Sequence, residues 1–232
     1  MRLPFPPGCV IAHRGSAAPG ALENTMASFE RAIARGAHGI EVDVREIAGG
    51  DLVVFHDADV EGLPLRTLTF EALSRAVPDR IIPSLAEVAE ALARRTILDI
   101  ELKDRGIEWP ALATLVAAGW SAAGFVVTSF DIESLDDVRR MQPQLATGWL
   151  TDSEPLRAID YVTSGRVDFA ALHDRTLTAD ALLACERAAV PVVAWTVNEP
   201  SRIASLFTSP CVRAVITDCV PELTASESGS SR

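Results

Sequence analysis

Short runs of aliphatic and β-branched residues recur along the chain, separated by longer stretches in which apolar positions return every three or four residues. The short runs predict strands at 9–12, 39–44, 97–102, 125–128, 146–150, 169–172, 192–197 and 214–217. The longer stretches predict helices at 25–35, 85–94, 109–118, 132–141, 178–188 and 201–207. Asn24, Ser84, Asp131 and Thr178 stand where N-caps belong, because their side-chain oxygens can accept the orphan amide hydrogens of a first helical turn. Strand-then-helix alternation over nearly the whole length is the pattern of βαβ units and a parallel sheet. Eight strands, each followed by a helix, predict an α/β fold of the (β/α)8 TIM-barrel class in a single domain over 1–221. A doubly wound sheet is the alternative, but no glycine-rich fingerprint opens its first helix.

Residues 45–83 break the rhythm. A glycine pair, a strand-like run at 52–55 and a brief helix in LTFEAL fill the connection after the second barrel strand. Such connections carry the functional face of a barrel. At the other end, residues 222–232 are small and polar and predict a disordered tail.

Composition narrows the class without choosing the fold. An apolar fraction of 48% and a charged fraction of 23% are those of an ordinary globular chain. Thirty-two acidic against 21 basic residues give a net charge of −11, which repels nucleic acid and anionic membrane surfaces at long range. A phosphate-bearing substrate would therefore need cationic charge supplied locally. Prolines interrupt the apolar residues of MRLPFPPGCVIAHRG before an h-region forms, so no signal peptide is expected, and no apolar run reaches membrane-spanning length. Cys9, Cys185, Cys211 and Cys219 lack ligand-type spacing, which fits reduced thiols in a cytoplasmic protein.

The candidate chemistry gathers at strand ends. Glu41 and Asp43 lie two apart in the second strand, so both project from one face, and Glu101 with Lys103 repeats the spacing on the third. If that face is the barrel interior, three carboxylates converge and call for a cation. If it is the outside, Ile40, Val42 and Val44 face inward and the acids are solvated. Periodicity leaves both arrangements open. With no histidine or cysteine cluster, oxygen ligation favours Mg²⁺ or Ca²⁺ over zinc. His13, in AHRG, and His56, in FHD, each end an apolar run.

These residues resemble the glycerophosphodiester phosphodiesterases, a family of (β/α)8 barrels. The matching segments are AHRGSAAPGALENTMASFERAIARGAHGIEVDVRE, LVVFHD, IPSLAEVAEAL with LDIELK, VTSF, VVAWTVN and VITD, in the family's order from about residue 11 to 218. The resemblance implies that His13 and His56 act as acid and base, that Glu41, Asp43 and Glu101 hold one divalent cation (Mg²⁺ or Ca²⁺, with Mn²⁺ also suited), and that Arg14 and Lys103 grip the phosphate. The implied reaction is hydrolysis of a small-molecule glycerophosphodiester to glycerol 3-phosphate and an alcohol. That division of labour is chemically sensible: a phosphodiester needs its charge neutralised and a proton delivered to a poor leaving group.

Four further residues are candidates for lining the substrate site. Glu23 stands ready to orient Arg14 or the cation, or simply to serve as a charge beside the first helix. Phe130 and Trp195 could wall the site, and His173 ends the sixth strand on the same face. The connection after HD is shorter than the family's usual one, which implies a more open cleft. Three rivals share parts of this pattern: a barrel phospholipase releasing a cyclic phosphate, a non-catalytic barrel that binds the same diesters, and a glycosidase, which would leave both histidines and Arg14 without a task.

Overall fold

The computed structural model describes residues 3–6, 8–15 and 22–220; the expected polar tail lies outside them. The strands are β1 (Cys9–Ala12), β2 (Gly39–Glu46), β3 (Leu52–Val54), β4 (Asp59–Val60), β5 (Leu63–Pro64), β6 (Ile97–Leu102), β7 (Phe125–Ser129), β8 (Ala146–Thr151), β9 (Phe169–His173), β10 (Val192–Trp195) and β11 (Val212–Thr217). The helices are α1 (Met26–Ala34), α2 (Phe70–Ala76), α3 (Leu85–Leu92), α4 (Glu108–Ala117), α5 (Ile132–Met141), α6 (Pro155–Thr163), α7 (Ala179–Arg187) and α8 (Pro200–Leu206).

Eight of the strands run parallel in the order β1, β11, β10, β9, β8, β7, β6, β2, and β1 pairs again with β2, so the sheet closes on itself. This is the expected (β/α)8 barrel. Predicted and observed strands agree within about two residues at each end. Two helices, α2 and α3, fall in the connection after β2, whereas the sequence pattern marks α2 only as a brief segment. Helix α6, which the strand–helix alternation calls for after the fifth barrel strand, has no marked range in the sequence pattern: no serine, threonine or aspartate caps it, Pro155 opens it, and Ala158 is its one buried residue.

Three apolar layers account for the packing. Ile40, Val42, Val44, Leu98, Ile100 and Leu102 point outward from β2 and β6 into a layer shared with Phe29, Ala32, Leu85, Val88, Leu112 and Leu115 of the helices. Burying each such side chain contributes roughly 1.5–3 kcal/mol relative to exposure. Inside the barrel, Cys9, Ile11, Val126, Leu150, Phe169, Val193 and Ile216 fill the centre, and Phe5 meets the Phe169 ring edge-on at 5.8 Å. The connection after β2 has its own small core of Ile47, Val53, Phe55, Val60, Leu65, Leu68, Leu73 and Ile82, and β3 extends the sheet antiparallel to β2. With Ile40, Val42 and Val44 turned outward, period-two alternation leaves Glu41 and Asp43 facing the interior.

Of the four expected caps, Ser84, Asp131 and Thr178 accept first-turn amide hydrogens as predicted. Asn24 does not. Thr25 caps α1 instead, in a reciprocal box with Ser28, while Asn24 adopts φ 52° and turns its amide into the barrel mouth.

Gly148 lies on β8, where an added Cβ would sit 2.1 Å from the Phe169 ring. That ring is fully buried, so it has little room to yield. Gly148→Ala is expected to lower stability by about 1–3 kcal/mol through overpacking, read as a fall in the urea midpoint at unchanged slope.

Candidate active site

The turn after β1 aims the first two functional residues. His13, Arg14 and Gly15 form one tight turn in which Arg14 takes φ 51° and Gly15 φ 81°. A side chain at Gly15 would strike Ser28 Oγ at 2.4 Å and the Phe29 ring at 2.5 Å, so only glycine lets this turn lie against α1. Ser28 Oγ in turn donates to the Arg14 carbonyl. The Arg14 amide then faces the barrel mouth and donates to Glu41 Oε2 at 2.9 Å.

Glu41, Asp43 and Glu101 each place a carboxylate oxygen within 4.8 Å of the others, and all three are buried. Cross-strand register explains the convergence, since Asp43 pairs with Glu101 where β2 and β6 run side by side. Lys103 Nζ lies 2.6 Å from Glu101 Oε1 and 3.0 Å from Asp43 Oδ1, and Arg14 Nε lies 3.1 Å from Asp43 Oδ2. Burial pushes the Asp43 pKa up, but Lys103 and Arg14 overcome it and hold the carboxyl below its ordinary range. Glu41 has neither cation against its carboxylate at ion-pair distance. Burial, then the charges of Asp43 and Glu101, push it well above the ordinary range. Burial also raises Glu101, with Lys103 opposing.

Glu41 Oε1 is buried and receives no hydrogen bond among the described residues, while the buried Asp43 Oδ1 and Glu101 Oε1 share the single Lys103 ammonium. Three buried carboxylates whose oxygens converge, with Lys103 against two of them and Glu41 Oε1 without a donor, fit a divalent cation of the Mg²⁺, Ca²⁺ or Mn²⁺ type.

His56 reaches the same mouth from a different support. It follows β3, the antiparallel extension, and so does not end one of the eight barrel strands. Arg45 Nε fixes its carbonyl at 2.7 Å while Arg45 Nη1 pairs with Asp104 Oδ1 at 3.0 Å, and His56 Nδ1 lies 2.9 Å from Asp57 Oδ1. His13, Arg14, Glu41, His56, Glu101 and Lys103 share one cavity of about 230 Å³, which Phe130 and Trp195 also line. The Trp195 indole is pinned by its bond to the Ala171 carbonyl and meets Phe130 edge-on at 5.6 Å.

The remaining two candidates stand back from the cavity wall. His173 packs its ring against Trp195 at 4.8 Å, and its Nδ1 accepts the Arg175 amide hydrogen. Glu23 pairs with Arg14 Nη1 at 2.9 Å and approaches Arg80 at 3.8 Å, so it braces Arg14 rather than the carboxylates.

Sequence reasoning passed over three supports. Asn24 donates to Asp43 Oδ2 at 2.7 Å, a bond that its cap-like position before the first helix conceals. Asp218 Oδ1 lies 2.7 Å from His13 Nδ1, and the final D of VITD was the available signal. Asp99 sits beside Glu41 in register and accepts from Thr128 Oγ1 at 2.8 Å. Burial drives its pKa to about 7, with the Thr128 bond opposing and Glu101 and Asp43 adding to the rise. Its two-residue offset from Glu101 was the visible clue.

A closed barrel with this acidic mouth, flanked by imidazoles and fixed cations, is the architecture of a phosphodiester hydrolase. Residues 13–222 match the model of the glycerophosphoryl diester phosphodiesterase family, and the chain belongs to that family. It is 29% identical over 231 residues to a glycerophosphodiester phosphodiesterase of Caldanaerobacter subterraneus subsp. tengcongensis, covering 90% of this chain and 93% of that protein. Among solved structures it resembles an Oleispira antarctica phosphodiesterase in complex with the product sn-glycerol-3-phosphate, at 26% identity and TM-score 0.78, covering 94% of each chain. A glycerophosphodiester phosphodiesterase of Thermotoga maritima superposes with TM-score 0.74 at 26% identity, covering 91% of this chain and 94% of that one.

The raised Asp99 carboxyl has a stability signature. In the unfolded chain it loses its proton first, so from roughly pH 4 to about 7 the unfolded state binds fewer protons and this group makes stability fall as pH rises. In the presence of a chelator, Asp99→Asn is expected to gain stability over wild type between pH 5 and pH 7, measured by urea unfolding at both. An identical pH dependence in the two proteins would contradict the assignment.

Proposed function

We propose that this chain hydrolyses glycerophosphodiesters to glycerol 3-phosphate and an alcohol, as one catalytic unit over residues 1–221 in the cytoplasm. The observation that carries the reading is the meeting of two imidazoles, two cations and the carboxylates of Glu41 and Glu101 on a single cavity, with Asp43 completing a cluster of three buried carboxylates beside it. The product named for the Oleispira antarctica relative supports the substrate class. Among the described residues no helix is long and apolar enough to cross a membrane, and the net charge of −11 disfavours nucleic acid.

Glu41, Asp43 and Glu101 would hold one divalent cation, Mg²⁺ or Ca²⁺ with Mn²⁺ also suited. Bound there, the ion supplies neutralisation of phosphoryl charge. Arg14 and Lys103 bring positive groups to the non-bridging oxygens, with the planar guanidinium suited to two at once. His13 and His56 divide the proton transfers: one imidazole takes the proton of the attacking hydroxyl as its oxygen bonds to phosphorus, and the other protonates the departing alkoxide. When the attacker is the substrate's own glycerol hydroxyl, a cyclic phosphate forms first and water then opens it. Phe130 and Trp195 wall the substrate, Glu23 steadies Arg14, and His173 backs Trp195 toward the leaving group. The short connection after His56 leaves the cleft open to more than one alcohol.

Release of glycerol 3-phosphate from glycerophosphocholine and glycerophosphoethanolamine, with Mg²⁺, Ca²⁺ or Mn²⁺ supplied in turn, tests the proposal. Wild type should turn over and lose activity in EDTA, and His13→Ala and His56→Ala should each fall by about two to four orders of magnitude with the fold intact. Full activity in excess chelator, near-normal turnover in His56→Ala, or a cyclic phosphate as sole product would contradict it.

A further inference from the structure

Barrel closure brings together two residues 205 positions apart. His13 follows β1 and Asp218 follows β11, and Ala12 pairs with Thr217 where those strands meet. His13 Nδ1 and Asp218 Oδ1 are 2.7 Å apart, while His13 Nε2 lies 3.9 Å from Glu41 Oε2 on the side of the cavity. A third residue completes the arrangement. Asn198, just past β10, donates from Nδ2 to Asp218 Oδ2 at 2.8 Å. Its Oδ1 accepts the Asp218 backbone amide at 2.9 Å and the Thr217 hydroxyl at 3.1 Å.

The direction of every bond in this chain is fixed. A backbone N–H can only donate, so the oxygen of the Asn198 amide must face the Asp218 amide, and its NH2 must face the carboxylate. An ionised carboxylate can only accept. The remaining oxygen of Asp218 therefore requires a donor at His13 Nδ1, and in a neutral imidazole that leaves Nε2 bare. The Asp218 carboxyl is held below its ordinary pKa range chiefly by the bond to His13, consistent with its acceptor role.

We infer that Asp218 is a positioning residue of the reaction and that Asn198 sets its polarity: together they hold His13 as the Nδ1–H tautomer, with the Nε2 lone pair presented to the cavity. The inference rests on the proposed acid or base role of His13. It goes further in naming the atom that carries the proton and the two residues that decide it.

Asp218→Asn reverses the polarity of the bond to His13. Asn198 still donates, so the oxygen of the new amide turns to Asn198 and its NH2 turns to His13. Nδ1 must then accept, and the proton moves to Nε2, where it blocks the lone pair. Exchanging the two side chains, Asn198→Asp with Asp218→Asn, reverses this. The carboxylate at 198 accepts both the backbone amide and the amide NH2 at 218, and the amide oxygen at 218 again accepts from Nδ1–H. The exchanged protein has the composition and net charge of wild type.

¹⁵N NMR of the His13 side chain, at a pH where the ring is neutral, reads the tautomer independently of turnover. Wild type should be Nδ1–H. Asp218→Asn should be Nε2–H, with kcat lower by about two to four orders of magnitude, as for wrong-tautomer variants of catalytic histidines, and KM within a few-fold. The exchanged protein should return to Nδ1–H and recover at least about tenfold in kcat over Asp218→Asn. An Nε2–H ring in wild type, or Asp218→Asn with unchanged tautomer and kcat, would overturn the inference. Full activity of His13→Ala would instead remove the underlying role of His13 while leaving the tautomer result to be read on its own.

Discussion

Glu41, Asp43, Asp99 and Glu101 point into the barrel from two neighbouring strands, where their mutual repulsion is poorly screened and each has lost most of its hydration. Arg14 and Lys103 are the cations in ion-pair contact with this set. The compensation is uneven. Asp43, touched by both, stays ionised, whereas Glu41 and Asp99 are driven toward their protonated forms. Such a cluster is expensive to build for stability alone, because apolar side chains of similar volume would fill the mouth at lower cost. In a chain of a phosphodiester hydrolase family, the positive charge that such a cluster can attract accounts for it.

The surrounding structure holds that cluster open and aimed. Outward-facing aliphatic residues of β2 and β6 lock those strands under the helices, so the alternate, acidic positions have no freedom to turn away. The Arg14–Gly15 turn spends backbone strain to present Arg14 to Glu41 and Asp43. The long connection after β2 is braced by its own apolar core and by Arg45, which reaches both the His56 carbonyl and Asp104. His56 is thus carried on a packed module rather than a loose loop. At the neighbouring strand β1, His13 is steadied by Asp218 from the end of β11, and Phe130 and Trp195 line the same cavity.

Much of this was legible from the residues. Apolar periodicity located all eight barrel strands and most helices because each strand is covered on its outer face by a helix and must be aliphatic there. It could not say which face Glu41 and Asp43 occupy, since outward and inward placements predict the same alternation; only closure of the sheet decides, and the ordered family motifs anticipated that outcome. The misses have physical reasons. Helix α6 lacks a capping side chain and buries little, so its local signal is faint. Asn24 has the right chemistry for a cap but spends its amide on Asp43, leaving the cap to Thr25. The Asp218 contact with His13 depends on the first and last barrel strands meeting, and separation along the chain hides it.

If the buried oxygens of Glu41, Asp43 and Glu101 form a divalent-cation site, titration calorimetry of Mn²⁺ into metal-stripped protein will register it. One ion should bind per chain, with affinity weakened at least about tenfold in Asp43→Asn and in Glu101→Gln while both variants keep the wild-type circular dichroism spectrum. Undiminished Mn²⁺ binding in both variants would contradict it.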